Sequence, residues 1–279
     1  MVLINPHLKP RKEIIAINGF FLFLIIIWIA VAVTVHGEMT GRQVIEEQER
    51  RHKVQSEFTL ETMLLVDRSG SKRKRLIKRY SKDIAEDLER SLLVFVEPPR
   101  VRGTALLRWE REDREDDQWL YLPSLKKLRR IAQATKKSYF MGTDFTYGDM
   151  ESEEPDNHNY DVLRSDAVDG HDCYVIEAVP IDQKKKESGY SKRRLWIRKD
   201  IFFTLKIEFY DRRGRYIKTL TNHKLGNLEG MIWRPRESLM DNHKRKHKTL
   251  IRVITEKINI PINNSVFTER YLMSGRHLE

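Results

Sequence analysis

From Glu57 to Ile258 the chain is dominated by short runs with a period of two, each closed by glycine, proline or a polar turn. That period sends successive side chains to opposite faces, which suits a pleated sheet and not a helix. Phe58, Leu60, Thr62, Leu64 and Val66 share one face of the first run. Asp67 to Gly70 then turns the chain, and Lys72 to Tyr80 returns as a more basic strand. Ser91 to Val96 follows and stops at Pro98 and Pro99, because proline cannot donate to a ladder. In Gly103 to Glu112, Ala105, Leu107 and Trp109 alternate with Leu106, Arg108 and Glu110. Tyr160 to Asp166, Cys173 to Pro180, Lys192 to Arg198, Phe202 to Tyr210, Tyr216 to Leu220, Lys224 to Leu228, Met231 to Asp241 and Thr249 to Ile258 continue the series. Gly214 supplies the positive φ of the tight turn Asp211 to Arg215.

About ten or eleven strands joined by hairpins predict a mainly β (α+β) fold built on an antiparallel meander. A sheet that wide must curl or split, so the residues alone leave open an incomplete β-barrel or a packed sandwich. A curled sheet needs a cover for its concave face. Two segments are available for it: an early helix and the irregular stretch Leu125 to Tyr147. The helix is marked by a capping box at Thr40 and Gln43, with Val44, Ile45 and Gln48 on one side. A short closing helix is expected over Val266 to Met273.

The first 37 residues differ from the rest. Ile14 to Val35 is almost wholly apolar and follows Lys9, Arg11 and Lys12, the layout of a signal peptide. Cleavage before Glu38 is one expectation; an uncleaved inner-membrane tether through residues 14–35 is the other, since about 20 apolar residues span a bilayer. Both place 38–279, a single domain, outside the cytoplasm. A mean hydropathy of −0.59 and 33% charged residues describe a solvated body. The net charge is +11, and residues 1–37 carry three cations and one acid, which leaves +9. Such a body meets anionic lipid or acidic proteins; export argues against nucleic acid. Cys173 stands alone, so no internal disulfide forms, and a lone cysteine reads as a buried small residue.

Motifs of catalysis are missing: no G-x-S-x-G, H-E-x-x-H, C-x-x-C or P-loop is present. His243 and His247 lie among Lys244, Arg245, Lys246 and Lys248, where a cation is repelled, and read as a solvated hairpin tip. The acidic stretch Met150 to Asp161 lacks calcium-loop spacing and reads as an exposed connection. No metal, no cofactor and no enzymatic activity are expected.

The most distinctive stretch is Gln118 to Met150. Trp119 and Tyr121 alternate with Leu120 and Leu122 until Pro123 stops the strand. Basic clusters follow, and then Tyr139 to Tyr147, aromatic and without a clean period. The runs Trp119 to Ile131 (WLYLPSLKKLRRI) and Ser138 to Met150 (SYFMGTDFTYGDM), with the late Phe267 to Leu272 (FTERYL), closely resemble the signature of the bacterial outer-membrane lipoprotein-sorting proteins, a family LolA-like in fold. The resemblance implies a curled antiparallel sheet whose lid encloses a hydrophobic cavity for a lipid or the acyl chains of a lipoprotein. It further implies a periplasmic carrier and an inner-membrane RND-type permease as partner. Candidate cavity residues are Leu64, Leu107, Trp109, Trp119, Tyr121, Phe140, Met141, Phe145 and Tyr147, with Lys126, Lys127, Arg129 and Arg130 meeting headgroups or a partner at the mouth. Each buried methylene contributes about 0.8 kcal/mol, so an acyl chain binds without any catalytic group. The alternatives are a lipid-responsive extracytoplasmic sensor or interaction module, or a filled core in place of the cavity.

Overall fold

Alternating patterning and hairpin turns produce a meander in which almost every spatial neighbour is a sequence neighbour. The computed structural model describes residues 38–278 apart from 86–87, 113, 152–154 and 186–187. The proposed signal or anchor therefore lies outside the described residues. Among the described residues no helix is long and apolar enough to cross a membrane. Thr40–Glu279 forms one compact unit.

The strands are β1 (Ser56–Val66), β2 (Lys72–Ala85), β3 (Leu88–Glu97), β4 (Ala105–Trp109), β5 (Asp117–Leu122), β6 (Lys127–Arg130) and β7 (His158–Val168). They continue as β8 (His171–Pro180), β9 (Tyr190–Arg198), β10 (Phe203–Asp211), β11 (Tyr216–Glu229), β12 (Ile232–Asn242) and β13 (His247–Ile258). All thirteen join one sheet in the order β6-β5-β4-β3-β2-β1-β13-β12-β11-β10-β9-β8-β7, with β6 and β7 as unjoined edges. The expected ten or eleven strands are thus corrected to thirteen. The basic segment at Lys127–Arg130 is a short edge strand against β5, and lysine and arginine are what an edge tolerates. Residues 216–220 and 224–228 are one strand, because Asn222 is not a turn residue: its Nδ2 donates to the Thr204 carbonyl at 2.9 Å and its Oδ1 accepts from Ser238 at 2.7 Å. At the β10–β11 turn Gly214 has φ 74°.

The two faces of the sheet are covered by different segments. The inner face of β1–β5 presents Met63, Leu65, Ile77, Leu93, Phe95, Leu106 and Leu120, packed by Phe140 and Tyr147 from the connection between β6 and β7. The outer face presents Leu92, Val94, Ala105, Leu107 and Tyr121 to Ile262, Phe267 and Leu272 of the C-terminal segment. That segment is a 3-10 turn, Asn264–Phe267, followed by helix α3, Glu269–Met273, capped by Thr268. The only other α-helices among the described residues are α1 (Gly41–His52) and the single turn α2 (Asp182–Lys185). Thr40 and Gln43 form the capping box of α1, as their spacing predicts.

Candidate functional site

Because β6 and β7 lie at opposite edges, the chain between them has to span the sheet. It does so as a strap whose described parts, residues 131–151 and 155–157, are made of short 3-10 turns and the bends between them. Phe140, fully buried, stacks on Phe95 of β3 at 5.7 Å and meets Tyr147 edge-on at 5.4 Å. Gln118 of β5 donates to the Tyr147 carbonyl at 3.0 Å. On the far side Asn242 of β12 donates to the Tyr139 hydroxyl at 2.9 Å.

Two buried carboxylates of the strap fasten it to the second half of the sheet. Asp144 lies 2.5 Å from Nδ1 of His247, accepts from the Thr249 hydroxyl at 2.8 Å and has Arg245 at 3.3 Å. Asp149 accepts from Lys218 of β11 at 2.5 Å, from the Tyr190 hydroxyl of β9 at 2.9 Å and from the Thr146 amide at 2.7 Å. Burial pushes the Asp149 pKa up, but the charge and hydrogen bond of Lys218 and the Thr146 amide outweigh it, so it lies below its ordinary value. Burial also draws the Lys218 ammonium below its ordinary range, and Asp149 offsets part of that. His247 is buried at 4% exposure, so the expected solvated tip is corrected at that residue, where Asp144 meets it together with Arg245; His243, Lys244, Lys246 and Lys248 are exposed.

Helix α1 lies across the other end of the inner face. Its Val44 and Ile45 are buried, and Gly41 approaches β7 so closely that a Cβ would fall 2.6 Å from the Tyr160 carbonyl oxygen. His52 bonds through Nε2 to the Ile201 and Phe202 carbonyls at 3.0 and 3.1 Å and accepts the Trp233 amide at Nδ1 at 3.2 Å. Gln48 accepts the Thr204 hydroxyl at 2.6 Å.

Beneath α1 the two limbs of the curled sheet face each other across a trough with a cavity of about 460 Å³, within the range of ligand sites. One wall is apolar: Tyr160, Leu195, Phe203 and Ile207, with Ile45 of the helix. The other carries Glu57, Asp83, Glu89 and Glu110. Glu57 is held by Arg234 at 2.9 Å, and Glu89 by the buried Arg108, which also binds Asp116 at 2.9 Å. Burial lifts Glu110 to about 7, although the Glu89 amide donates to it at 2.7 Å. A second cavity of about 230 Å³ lies beside the strap and is lined by Phe145, Asp149, Tyr190, Phe209 and, again, Ile207.

The sequence-derived candidates divide between these places. Phe140, Met141 and Tyr147 join the inner core, and Phe145 lines the smaller cavity. Leu107, Trp109, Trp119 and Tyr121 do not join them: they belong to the outer layer under the C-terminal segment. Trp109 donates through Nε1 to the Phe267 carbonyl at 2.8 Å and packs on Trp119 at 4.8 Å. The single aromatic cavity is therefore corrected, because residues 118, 120 and 122 take the inner face of β5 and 119 and 121 the outer. Leu64 also points outward, opposite Lys74 and Leu250, while Met63 and Leu65 point in. Lys126, Lys127, Arg129 and Arg130 are exposed along edge strand β6 and line neither interior cavity; Arg130 pairs with Asp117. Leu195, Phe203 and Ile207 were missed, although their strands were legible, because no local signal says which face meets the trough. Cys173 is buried, which pushes its thiol up to about 11, outside the reactive range. Among the described residues no group of three or more metal-binding side chains occurs.

This architecture recurs in known proteins. A family model described as an uncharacterized protein family matches residues 87–274. A domain from Vibrio parahaemolyticus, named for outer-membrane lipoprotein sorting, is 31% identical, with a TM-score of 0.79 over 84% of this chain and 98% of its own. A DUF1329 family protein from Desulfovibrio piger is 29% identical, with a TM-score of 0.79 over 83% and 97%. A LolA superfamily protein from Nitrosomonas europaea shares the fold at 23% identity, with a TM-score of 0.66 over 84% and 100%. No curated protein matches the chain.

Proposed function

The chain belongs to the DUF1329 family, and from that premise we propose that it is a non-enzymatic periplasmic carrier that shelters the acyl chains of a lipid or lipoprotein bound for the outer membrane. The observation that carries this reading is the roofed trough of about 460 Å³ with one aliphatic and aromatic wall. Burial of an acyl chain against Leu195, Phe203 and Ile207 supplies affinity at about 0.8 kcal/mol per methylene. The opposite wall sets the orientation. Glu57, Asp83 and Glu89 are each paired with a cation, Arg234, Lys53 and Arg108, so this wall stays polar and solvated while the chain packs on the apolar one. Glu110, with a pKa of about 7, is partly neutral at physiological pH and tolerates an apolar neighbour. The fold neighbours support the reading: the Vibrio domain carries lipoprotein sorting in its name, and the Nitrosomonas protein has the LolA-type fold. An RND-type permease as the source of cargo rests on the family resemblance alone.

The test is native mass spectrometry with lipid extraction on the chain from Glu38 onward, purified from an exporting host. The expected result is a bound acyl species that is lost in Ile207→Glu while the circular dichroism of the sheet is retained. Protein that is always empty and takes up no fluorescent fatty acid would overturn the proposal.

A further inference from the structure

The outer face of the three central strands is a surface of one charge sign. Register places Lys248, Val66 and Lys72 in one row across β13, β1 and β2, then Leu250, Leu64 and Lys74, then Arg252, Thr62 and Leu76. Two further rows follow, Thr255, Leu60 and Lys78, and then Lys257, Phe58 and Tyr80. These fifteen positions hold six cations and no Asp or Glu. The neighbouring strand β12 offers Glu237 to Arg252 at 3.4 Å and Asp241 to Lys248 at 2.8 Å, and Lys78 is engaged as well, so the positive field comes from Lys72, Lys74 and Lys257. Between the cations runs a leucine row, Leu64, Leu250 and Leu239, in register across three strands. A bulge opposite Leu60 and Glu61 pushes Ile254 outward to 54% exposure. The C-terminal segment covers the outer face of β3–β5 with Ile262, Phe267 and Leu272; the leucine row is half-buried and joins none of the core clusters of the described residues.

We propose that this face docks on an anionic phospholipid surface. Lysine stems lie along the leucines and carry their ammonium groups to phosphates, while Leu64, Leu250 and Ile254 reach the headgroup boundary. The composition favours a bilayer over an acidic protein. Five of the six cations are lysine, which protein interfaces deplete. The surface is on the reverse of the sheet from the trough, so docking and cargo binding are independent.

Unit Thr40–Glu279 contains the whole sheet and both of its covering layers, so the chain from Glu38 onward, its fold checked by circular dichroism beside the full chain, is the sample for the test. Its sedimentation is measured with vesicles of phosphatidylcholine with and without phosphatidylglycerol. Binding is expected only with phosphatidylglycerol, weakening with added salt. The exposed pair Lys72→Glu/Lys74→Glu should reduce it at least about tenfold, because each lysine near such a surface is worth about fivefold. Equal binding to phosphatidylcholine alone, or binding unchanged by the double reversal, overturns the proposal. So does capture of an acidic protein through Lys72 and Lys74 without any vesicle binding.

Discussion

Asp149 shows what holds the roof on this sheet. Its carboxylate and the Lys218 ammonium are 5% and 1% exposed, and the pair ties the strap to β11 in surroundings that include the Phe209 ring, 4.6 Å from Lys218. A buried pair adds little over an apolar replacement, but removing one partner strands the other. Asp149→Asn is therefore expected to lower stability by about 3 kcal/mol or more, and Asp149→Asn/Lys218→Met, which keeps an acceptor for Tyr190 and Thr146, by less. Urea unfolding of both variants checks the difference; an equal loss in each would mean that packing, not the stranded charge, is at stake. Little of this was legible beforehand. Asp144 and His247 are 103 positions apart, and Asp149 and Lys218 are 69 apart. Only the strand Tyr216 to Leu220, which carries Lys218, and the stretch Gln118 to Met150, which carries both aspartates, were visible.

At the scale of elements, the strands were legible because alternation is local, whereas which face is inner was not. Alternation states that Trp119 and Leu120 point apart; the segment each meets is decided far along the chain. Phe140 reaches the inner side from the strap, and Phe267 reaches the outer side from the C-terminus. The aromatic residues that looked like a cavity lining are thus the seat of the C-terminal segment. Trp109→Ala removes the hydrogen bond to the Phe267 carbonyl and the contact with Trp119. It is expected to cost about 3 kcal/mol and to increase proteolysis after Asn263, with fatty-acid uptake unchanged once the protein is folded. Limited proteolysis beside an uptake assay separates the two roles; loss of uptake by the folded variant would return Trp109 to the binding site.

The whole molecule carries a positive net charge of +11, yet its trough gathers carboxylates, and this has a consequence for stability. Burial lifts Glu110 and Glu256 from 4.5 to about 7. Between those values the folded protein keeps protons that the unfolded chain has released. Stability from these groups is therefore fully present below about 4.5 and is lost as pH rises through 7. The depressed carboxylates act elsewhere. Glu47, held by Arg50 and Arg51, and Asp211, held by Arg215, both sit at about 2, so their contribution is complete above the ordinary carboxylate range and fades only in acid. The window from 4.5 to 7 is shared, because Glu256 does not line the trough, Glu151 by the strap is also raised by burial, and His52 and His277 are lowered by it; varying Glu110 is what isolates the trough. Glu110→Gln cannot ionise and should remove part of the decline, roughly 1–2 kcal/mol given the partial exposure of Glu110. The variant should unfold at a higher urea concentration than the parent at pH 8 and show no such gain at pH 4.5. A variant whose slope equals the parent's would place the Glu110 carboxyl in water and take away its part in a trough that accepts apolar cargo at neutral pH.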